Sequence, residues 1–236
     1  LVTYEDGDSE EIVDPYSYQF YTAFTEEEVK KFGAGIYYDS YQKFGAHPTV
    51  EAGISGVHFA VWAPDAMRVS VVGDFNFWDG RRHQMKKRGP SGIYEIFIPG
   101  LKPGAIYKYE IKTKAGDPML KADPYANFSE LRPNTASVIW DMTDYQWNDG
   151  EWIEKRKAAK DRLKDSPMSI YEVHLGSWMQ KPVAQDENGD DINGSQFYNY
   201  REIAEKLAAY VKEMGYTHVE LLPVMEHPLD ESWVTR

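Results

Sequence analysis

The segment from Asn199 to Pro228 constrains the fold more than any other part of the sequence. Asn199 and Glu202 have the spacing of a capping box, and Gly215 can supply the left-handed residue that ends a helix. Between them, apolar residues recur every three or four positions and so share one helical face; they are Ile203, Ala204, Leu207, Ala208, Val211 and Met214. The sequence therefore predicts an amphipathic helix with two defined ends.

A short apolar run lies on each side of this helix. Residues 168–175 (MSIYEVHL) precede it, and residues 217–224 (THVELLPV) follow it. The order strand, helix, strand predicts a β-α-β unit with parallel strands, and we expect both strands to be buried on both faces. Because α/β enzymes place chemistry at the carboxyl ends of parallel strands, His174, Glu226 and His227 are candidate site residues.

Each of these rim residues has two interpretations. Their side chains could bind substrate hydroxyls, or they could hold the neighbouring loops, which is the commoner role for a histidine at a strand end. Glycoside chemistry needs two carboxyl groups facing one cleft. Glu226 could supply one of them, but Glu172 lies inside a strand and points away from a shared rim, so we assign it no catalytic role.

Between residues 57 and 141 the hydrophobic period changes to two. Turn sequences separate short alternating runs, which are VHFAVWAP, MRVSVVGDF, IYEIFIPG, AIYKYEIKT and ASVIWD. This pattern predicts an immunoglobulin-like antiparallel β-sandwich over residues 25–145. Residues 33–56 hold scattered glycine, proline and aromatic residues and are predicted to be a loop-rich connection.

The remaining segments complete the predicted organisation. Residues 1–24 show no sustained period, and we interpret them as a linker or the tail of a preceding β domain. Residues 146–167 are highly charged with few apolar positions, so they predict a solvated linker helix, with one short helical turn also expected after Thr25. The predicted β-α-β unit occupies residues 168–236.

The composition excludes several classes of function. The net charge of −12 argues against nucleic acid and anionic membranes as partners. The chain has no cysteine, which excludes disulfides and thiolate metal sites and fits a reducing, cytoplasmic location. It also lacks phosphate-binding, nucleophile-elbow and zinc-protease motifs, so we predict neither a cofactor nor a metal. No apolar run approaches the roughly 18 residues of a membrane span.

The aromatic content has two interpretations, of which a β-rich core is the commoner. They make up 14% of the chain, with 17 Tyr and 7 Trp, which suits either a β-rich core or the flat faces of sugar rings. The sequence DFNFW at residues 74–78 joins a strand to a turn and is predicted to expose Trp78 beside Asn76. This pair could grip a sugar chain, or Trp78 could simply cover the end of the sandwich.

Three blocks of the sequence together resemble the 1,4-α-glucan (glycogen) branching enzymes of the α-amylase superfamily. The first block, VSVVGDFNFWDGRRHQM with YKYEI and KADPYA, is similar to the carbohydrate-binding sandwich that precedes their barrel. SIYEVHLGSW resembles their first barrel strand, and NYREIAEKLAAYVKEMGYTHVELLPVMEHPLDESW resembles the first barrel helix, the second strand and the next loop. The resemblance covers about residues 14–233.

This resemblance implies a fold and an activity. The sandwich would be a carbohydrate-binding module, and residues 168–236 would begin a (β/α)8 barrel, which needs about 250 residues when complete. The implied reaction cuts an α-1,4 link in a glucan and re-forms it as an α-1,6 branch with retention. The catalytic carboxyl groups of the family lie on later barrel strands, so we expect no catalytic residue here and no activity from this chain alone.

The resemblance also implies specific contacts with α-1,4-glucan, as glycogen, starch or maltooligosaccharides. Trp78 and Lys108 match sugar-contacting residues of related glycogen-binding modules, and Asn134 matches a third. No tryptophan stands near Asp117, where such modules can have a second stacking residue, so we expect weak affinity or a bracing role. Implied substrate contacts at the barrel rim are His174, Glu226, His227 and Trp233.

Two further expectations concern alternatives and assembly. A non-catalytic glucan-binding module, a debranching enzyme and a glycosyltrehalose hydrolase share parts of this plan and remain alternatives. An unfinished barrel would leave apolar strands uncovered, so we expect the last 69 residues (236 − 167) to be poorly ordered, swapped, or covered by a partner, with self-association as one outcome. In the family, the tryptophan matched by Trp233 is followed by glycine and tyrosine, whereas here Val234 and Thr235 follow it.

Overall fold

The computed structural model describes residues 2–10, 17, 21–131, 133–143, 145–160, 165–183, 185–189, 196–222 and 224 of the chain. They divide between two compact units, Leu1–Gln146 and Trp147–Arg236. In the first unit, a short antiparallel hairpin of β1 (Val2–Thr3) and β2 (Ser9–Glu10) comes first in sequence. None of the helices in the described segments is long and apolar enough to cross a membrane.

Two antiparallel sheets form most of the first unit. The first sheet contains β3 (Gly45–Glu51), β4 (Ile54–Trp62), β6 (Lys86–Lys87) and β7 (Ile93–Pro99), in the order β3-β4-β7-β6. The second contains β5 (Ala66–Gly73), β8 (Ile106–Thr113), β9 (Met119–Lys121), β10 (Phe128–Ser129) and β11 (Ser137–Val138). Its order is β10-β11-β8-β5, and β9 pairs with β8.

The two sheets share one apolar core, as alternating strands require. Phe59 of β4 is fully buried, and its ring meets the ring of Tyr107 of β8 edge to face at 5.0 Å between centroids. Alternate residues of the facing strands complete the core, among them Val57, Val61, Val69, Val71, Tyr94, Ile96, Ile98 and Tyr109. The predicted antiparallel β-sandwich is therefore confirmed.

The loop-rich connection predicted for residues 33–56 is wrong in its second half. Residues 45–51 form β3, which pairs with β4 along its whole length, from Gly45 opposite Ala60 to Glu51 opposite Ile54. β3 lies at the edge of its sheet, where a residue without an amide hydrogen such as Pro48 is tolerated.

Helix α1 (Glu26–Gly33) is longer than the single turn expected after Thr25. Thr25 and Glu28 form a complete capping box at its start, which satisfies amides that would otherwise lack partners. Val29 and Phe32 pack on a second buried cluster, whose members are Phe24, Phe44, Ala60 and Ile93. The first sheet is thus packed against apolar groups on both of its faces.

A buried polar network lies beside this second cluster. The carboxylate of Glu95, which is fully buried, accepts a hydrogen bond from the amide of Ala23 at 3.0 Å and lies 3.2 Å from His58 Nε2. Arg88 Nε is 3.2 Å from the other oxygen of Glu95. Burial lowers the pKa of His58, and the nearby Glu95 only partly opposes this effect.

The second unit contains helices and two short strands. Its elements are α2 (Gly150–Ala158), β12 (Ile170–Val173), α3 (Leu175–Trp178), α4 (Tyr200–Met214) and β13 (His218–Leu221). The charged helix predicted within residues 146–167 is present as α2, which has no buried residue. The boundaries of the four predicted segments, residues 1–24, 25–145, 146–167 and 168–236, stay predictions.

Strands β12 and β13 pair in parallel, from Ile170 opposite His218 to Val173 opposite Leu221. The predicted β-α-β unit is therefore confirmed. The expectation that both strands are buried on both faces is wrong, because every residue of β13 is exposed and only Val173 of β12 is buried. Within the described residues the sheet has no third strand that could cover these edges.

Helix α4 has the predicted ends, but less of its apolar face is buried than expected. Asn199 and Glu202 form the expected capping box, and Gly215 adopts the left-handed conformation at φ 77°. Only Ile203 and Leu207 of the apolar stripe are buried. The predicted partners Ala204, Ala208 and Met214 are exposed.

Candidate functional site

The loop of residues 74–80 follows β5 and carries the DFNFW sequence. A 3-10 turn, Asp74–Asn76, leads into Phe77 and Trp78, which both have positive φ angles of 59° and 58°. Such angles are uncommon outside glycine, so the surrounding contacts must hold the loop in this shape. The conformation of this loop therefore depends on the hydrogen bonds that its own residues make.

Asn76 is the residue that holds the loop. Its Oδ1 accepts from the amide of Gly73 at 3.0 Å, and its Nδ2 donates to the carbonyl of Val71 at 2.9 Å. Nδ2 also lies 3.0 Å from His83 Nδ1, and burial lowers the pKa of His83, which favours the neutral ring that can accept this hydrogen bond. Asn76 is fully buried, so the expectation that it stands on the surface beside Trp78 is wrong.

Trp78 is half-buried, and its indole is fixed in place. Nε1 donates to Asp74 Oδ1 at 2.7 Å, and the backbone amide donates to the carbonyl of Gly73 at 2.9 Å. The neighbouring Phe77 is far more exposed, at 83%, with the guanidinium of Arg82 5.8 Å from its ring centroid. The sequence reasoning missed Phe77, although DFNFW contains both aromatic residues.

The loop folds back over the outer face of the second sheet. Ser70 and Glu110 alternate with the core residues Val71 and Tyr109, so they point outward. The hydroxyl of Ser70 donates to the carbonyl of Gly80 at 2.7 Å. A Cβ at Gly80 would collide with the Glu110 carboxylate, so the end of the loop lies directly on this face.

Lys108 lies on the same outer face, opposite Val72 of β5. Its Nζ donates to Thr135 Oγ1 at 2.7 Å, and Thr135 directly follows Asn134 in the sequence. Glu130 joins this group, because its carboxylate accepts from Asn134 Nδ2 at 3.4 Å and from a backbone amide at 2.9 Å. Thr135 and Glu130 were not predicted, and their only signal is proximity to Asn134.

Backbone contacts connect the loop of Trp78 to the strand of Lys108. Trp78 is bonded to Gly73, Gly73 pairs with Tyr107, and Lys108 follows Tyr107 on β8. The loop of Trp78 therefore follows the strand next to that of Lys108, whose amine contacts the hydroxyl of Thr135, the residue after Asn134. An aromatic ring flanked by such groups can bind a ligand that has both apolar faces and hydroxyl edges.

The predicted barrel rim has less structural support. His174 is the N-cap of α3: its Nδ1 accepts from the amide of Ser177 at 3.2 Å and lies 3.0 Å from the Ser177 hydroxyl. This favours a loop-holding role for His174. The other predicted contacts, Glu226, His227 and Trp233, lie outside the described residues. Within the described residues, His, Cys, Asp and Glu side chains form no cluster that could hold a metal ion.

Comparison with known proteins identifies the region that contains this site. Residues 43–126 match the family of carbohydrate-binding module 48, the isoamylase N-terminal domain. The match includes Trp78 and Lys108, whereas Asn134 lies just beyond it.

Longer matches link both units to one enzyme family. The chain is 54% identical over 214 residues to the 1,4-alpha-glucan branching enzyme GlgB of Synechococcus sp. (strain JA-3-3Ab), covering 86% of this chain and 27% of that protein. The resemblance to the branching-enzyme family is confirmed. A second branching enzyme GlgB, from Rubrobacter xylanophilus, is 50% identical over 233 residues and covers 98% of this chain. The chain spans about 30% of that relative's length.

A solved structure shares the fold. Pullulanase type I of Bacillus subtilis, complexed with maltose, aligns with a TM-score of 0.52 and 25% identity. The alignment covers 84% of this chain and 26% of the pullulanase. This relative supports the sandwich assignment.

Proposed function

We propose that the first unit binds α-1,4-glucan on the outer face of its second sheet, through Trp78, Lys108 and Asn134. The observation that carries this proposal is the 2.7 Å hydrogen bond from Lys108 to Thr135, which joins polar groups of two separate segments at the outer face of the second sheet. The match to a carbohydrate-binding family over residues 43–126 gives independent support.

The chemistry of the site suits a sugar chain. A glucose ring presents C–H groups on its faces and hydroxyls at its edges, so it can stack on an indole while its edge binds polar groups. The ammonium of Lys108 has three donors, and its bond to Thr135 uses one of them. Because Asp74 already fixes the indole of Trp78, stacking would cost little side-chain entropy.

We also propose that the chain serves the branching of α-1,4-glucan into α-1,6-linked chains. The 54% identity to a branching enzyme, against 25% to the pullulanase, favours branching over debranching. The parallel pair of β12 and β13 around α4 supports the interpretation of residues 168–236 as the first part of a (β/α)8 barrel.

Three further points stay predictions: a cytoplasmic location, self-association through the second unit, and inactivity of this chain by itself. Sedimentation over a range of concentrations tests the self-association. A glucan-branching assay tests the activity, and measurable turnover by the chain alone would contradict the prediction.

Isothermal titration with maltoheptaose tests the binding proposal. We expect Trp78→Ala to weaken binding by about tenfold or more, because truncating a central aromatic contact typically costs over 1 kcal/mol. Lys108→Met keeps the apolar stem and should have a smaller effect. The matched control is Trp152→Ala, which removes an exposed tryptophan on α2. Equal affinity in Trp78→Ala and wild type, or no binding by wild type, would refute the proposal.

A further inference from the structure

We propose that the glucan-binding surface continues across the same sheet to a second aromatic platform, formed by Phe128 and Trp140. Longer α-glucan chains would then be held at two points, and shorter ones at one. This inference rests on the proposed glucan binding and concerns the length of chain that the surface prefers.

The two residues form an exposed aromatic pair. Their ring centroids are 5.1 Å apart with an interplanar angle of 40°, so each ring supports the other. Each residue is 47% exposed, which leaves ring surface open to a ligand. No motif in the sequence indicates a role for either residue.

Strand register places this pair on the outer face. Tyr107 and Ser137 are opposite each other and buried on the inner side, where Ser137 Oγ accepts from the amide of Asp123. Side chains alternate along a strand, so the next residues, Ile106 and Val138, point outward.

Phe128 and Trp140 extend this outward row. Phe128 pairs with Val138 and so shares its face. Trp140 is two residues beyond Val138, and the backbone of Ile139 still bonds to Ala105 and Gly104, so the alternation continues to Trp140.

The same row leads to the loop that carries Trp78, which is the first aromatic platform. It crosses from Phe128 on β10 through Val138 and Ile106 to the end of β5, where Gly73 pairs with Tyr107. Asp74, the next residue, holds the indole of Trp78. The path crosses three strand spacings, which is about 14 Å.

A polar row runs beside this apolar one. Lys108 pairs with Val72 on one side, and on the other it reaches Thr135, which adjoins Glu130 and Asn134. The row therefore has the Phe128–Trp140 pair at one end and the loop that holds Trp78 at the other, with aliphatic side chains between them and hydrogen-bonding groups along one edge. An oligosaccharide has this combination of apolar faces and hydroxyl edges along its length.

Two linked contact points should make affinity depend on chain length. Once one part of a long chain is bound at Trp78, the rest meets the second platform at a high effective concentration. A disaccharide is too short to gain from this effect. The second platform should therefore contribute to binding of maltoheptaose but not of maltose.

Isothermal titration of four variants with maltose and with maltoheptaose tests this inference. Trp140→Leu and Phe128→Leu keep apolar side chains but remove a ring, and each should weaken maltoheptaose binding by about five- to tenfold while maltose affinity stays unchanged. Trp140→Tyr keeps a ring and should bind nearly as wild type. Trp78→Ala should weaken the binding of both maltose and maltoheptaose.

The outcomes separate the two proposals. If Trp78→Ala loses binding while both leucine variants keep the wild-type affinity for maltoheptaose, the second platform is refuted and the first site stands. If wild type binds neither sugar, both proposals are refuted. Circular dichroism checks the fold of each variant. A change in self-association with unchanged sugar affinity would assign the pair to protein contact and would also overturn the inference.

Discussion

Strands β4 and β13 read alike in sequence but differ in the structure. Both are apolar runs with β-branched residues, yet the residues from Val57 to Val61 of β4 are buried, whereas all of β13 is exposed. β4 pairs with β3 and β7, and it packs against the second sheet on one face and against the second buried cluster, which includes Phe24 and Phe44, on the other. In the described part of the chain, β13 pairs with β12 alone.

The difference shows that a hydrophobic pattern predicts a strand but not its burial. Burial depends on neighbouring strands and layers, which the first unit provides from its own residues. The same contrast holds for the candidate sites. The polar groups around Trp78 and Lys108 are held by contacts within the first unit, while three of the four predicted rim residues lie outside the described residues.

The largest effect is expected from Phe59→Ala in the core of the first unit. Phe59 is fully buried against Tyr107, so its truncation should lower the free energy of unfolding by about 3–5 kcal/mol. Urea unfolding followed by near-ultraviolet circular dichroism measures this change. A loss below about 1 kcal/mol would mean that the sandwich core does not carry the stability of this unit.

A matched pair of valines compares the two strand environments directly. Val71→Ala removes methyl groups from a fully buried site and should cost about 2 kcal/mol, whereas Val219→Ala, at a residue 38% exposed, should cost less than about 1 kcal/mol. Urea unfolding of both variants checks the difference. Equal losses would show that β13 is covered in solution, for example by self-association.

The buried His58 should make the stability of the first unit depend on pH. Burial lowers its pKa in the folded state, so the unfolded chain takes up a proton near pH 6.5 before the folded chain does. Stability is therefore present above about pH 6.5 and is lost as pH falls below it, by at most about 1.4 kcal/mol per pH unit. His58→Gln should reduce this dependence between pH 7 and 5, and the part that remains would come from His83, whose pKa burial also lowers. A wild type that gains stability as pH falls would instead indicate a charged His58–Glu95 pair.

Effects smaller than those of the buried core residues are expected at the two helix caps. Thr25→Ala in the first unit and Asn199→Ala in the second each remove half of a capping box and should cost about 1 kcal/mol. Hydrogen exchange should then rise in α1 or in α4, respectively, without a change in the other helix. Faster exchange in both helices from either variant would show that the two units unfold together.

Part of the fold could be predicted from local signals alone. The alternating runs and the helix with its Asn199 cap and Gly215 end were found because each is set by neighbours in sequence. β3 was missed because Pro48 and weak alternation resemble a loop, and only its backbone pairing with β4 makes it a strand. The burial of β12 and β13 could not be predicted, since it depends on neighbouring strands.

The candidate site was predictable to a lesser degree. Trp78 and Lys108 were found through the family resemblance, and in the structure the loop of Trp78 follows the strand that pairs with the strand of Lys108. Asn76 was assigned to the surface because its partners, the carbonyl of Val71 and the ring of His83, become neighbours only when the loop folds back. Thr135 was missed for the same reason, because its contact with Lys108 links distant segments.

Hydrogen exchange with and without maltoheptaose tests the central claim most directly, because it reports on both units in one experiment. We predict slower exchange with the sugar in residues 73–80, 106–108 and 134–138, and unchanged exchange in β12 and β13. No protection on this face, or protection confined to the second unit or to the first sheet, would contradict the assignment of glucan binding to the outer face of the second sheet.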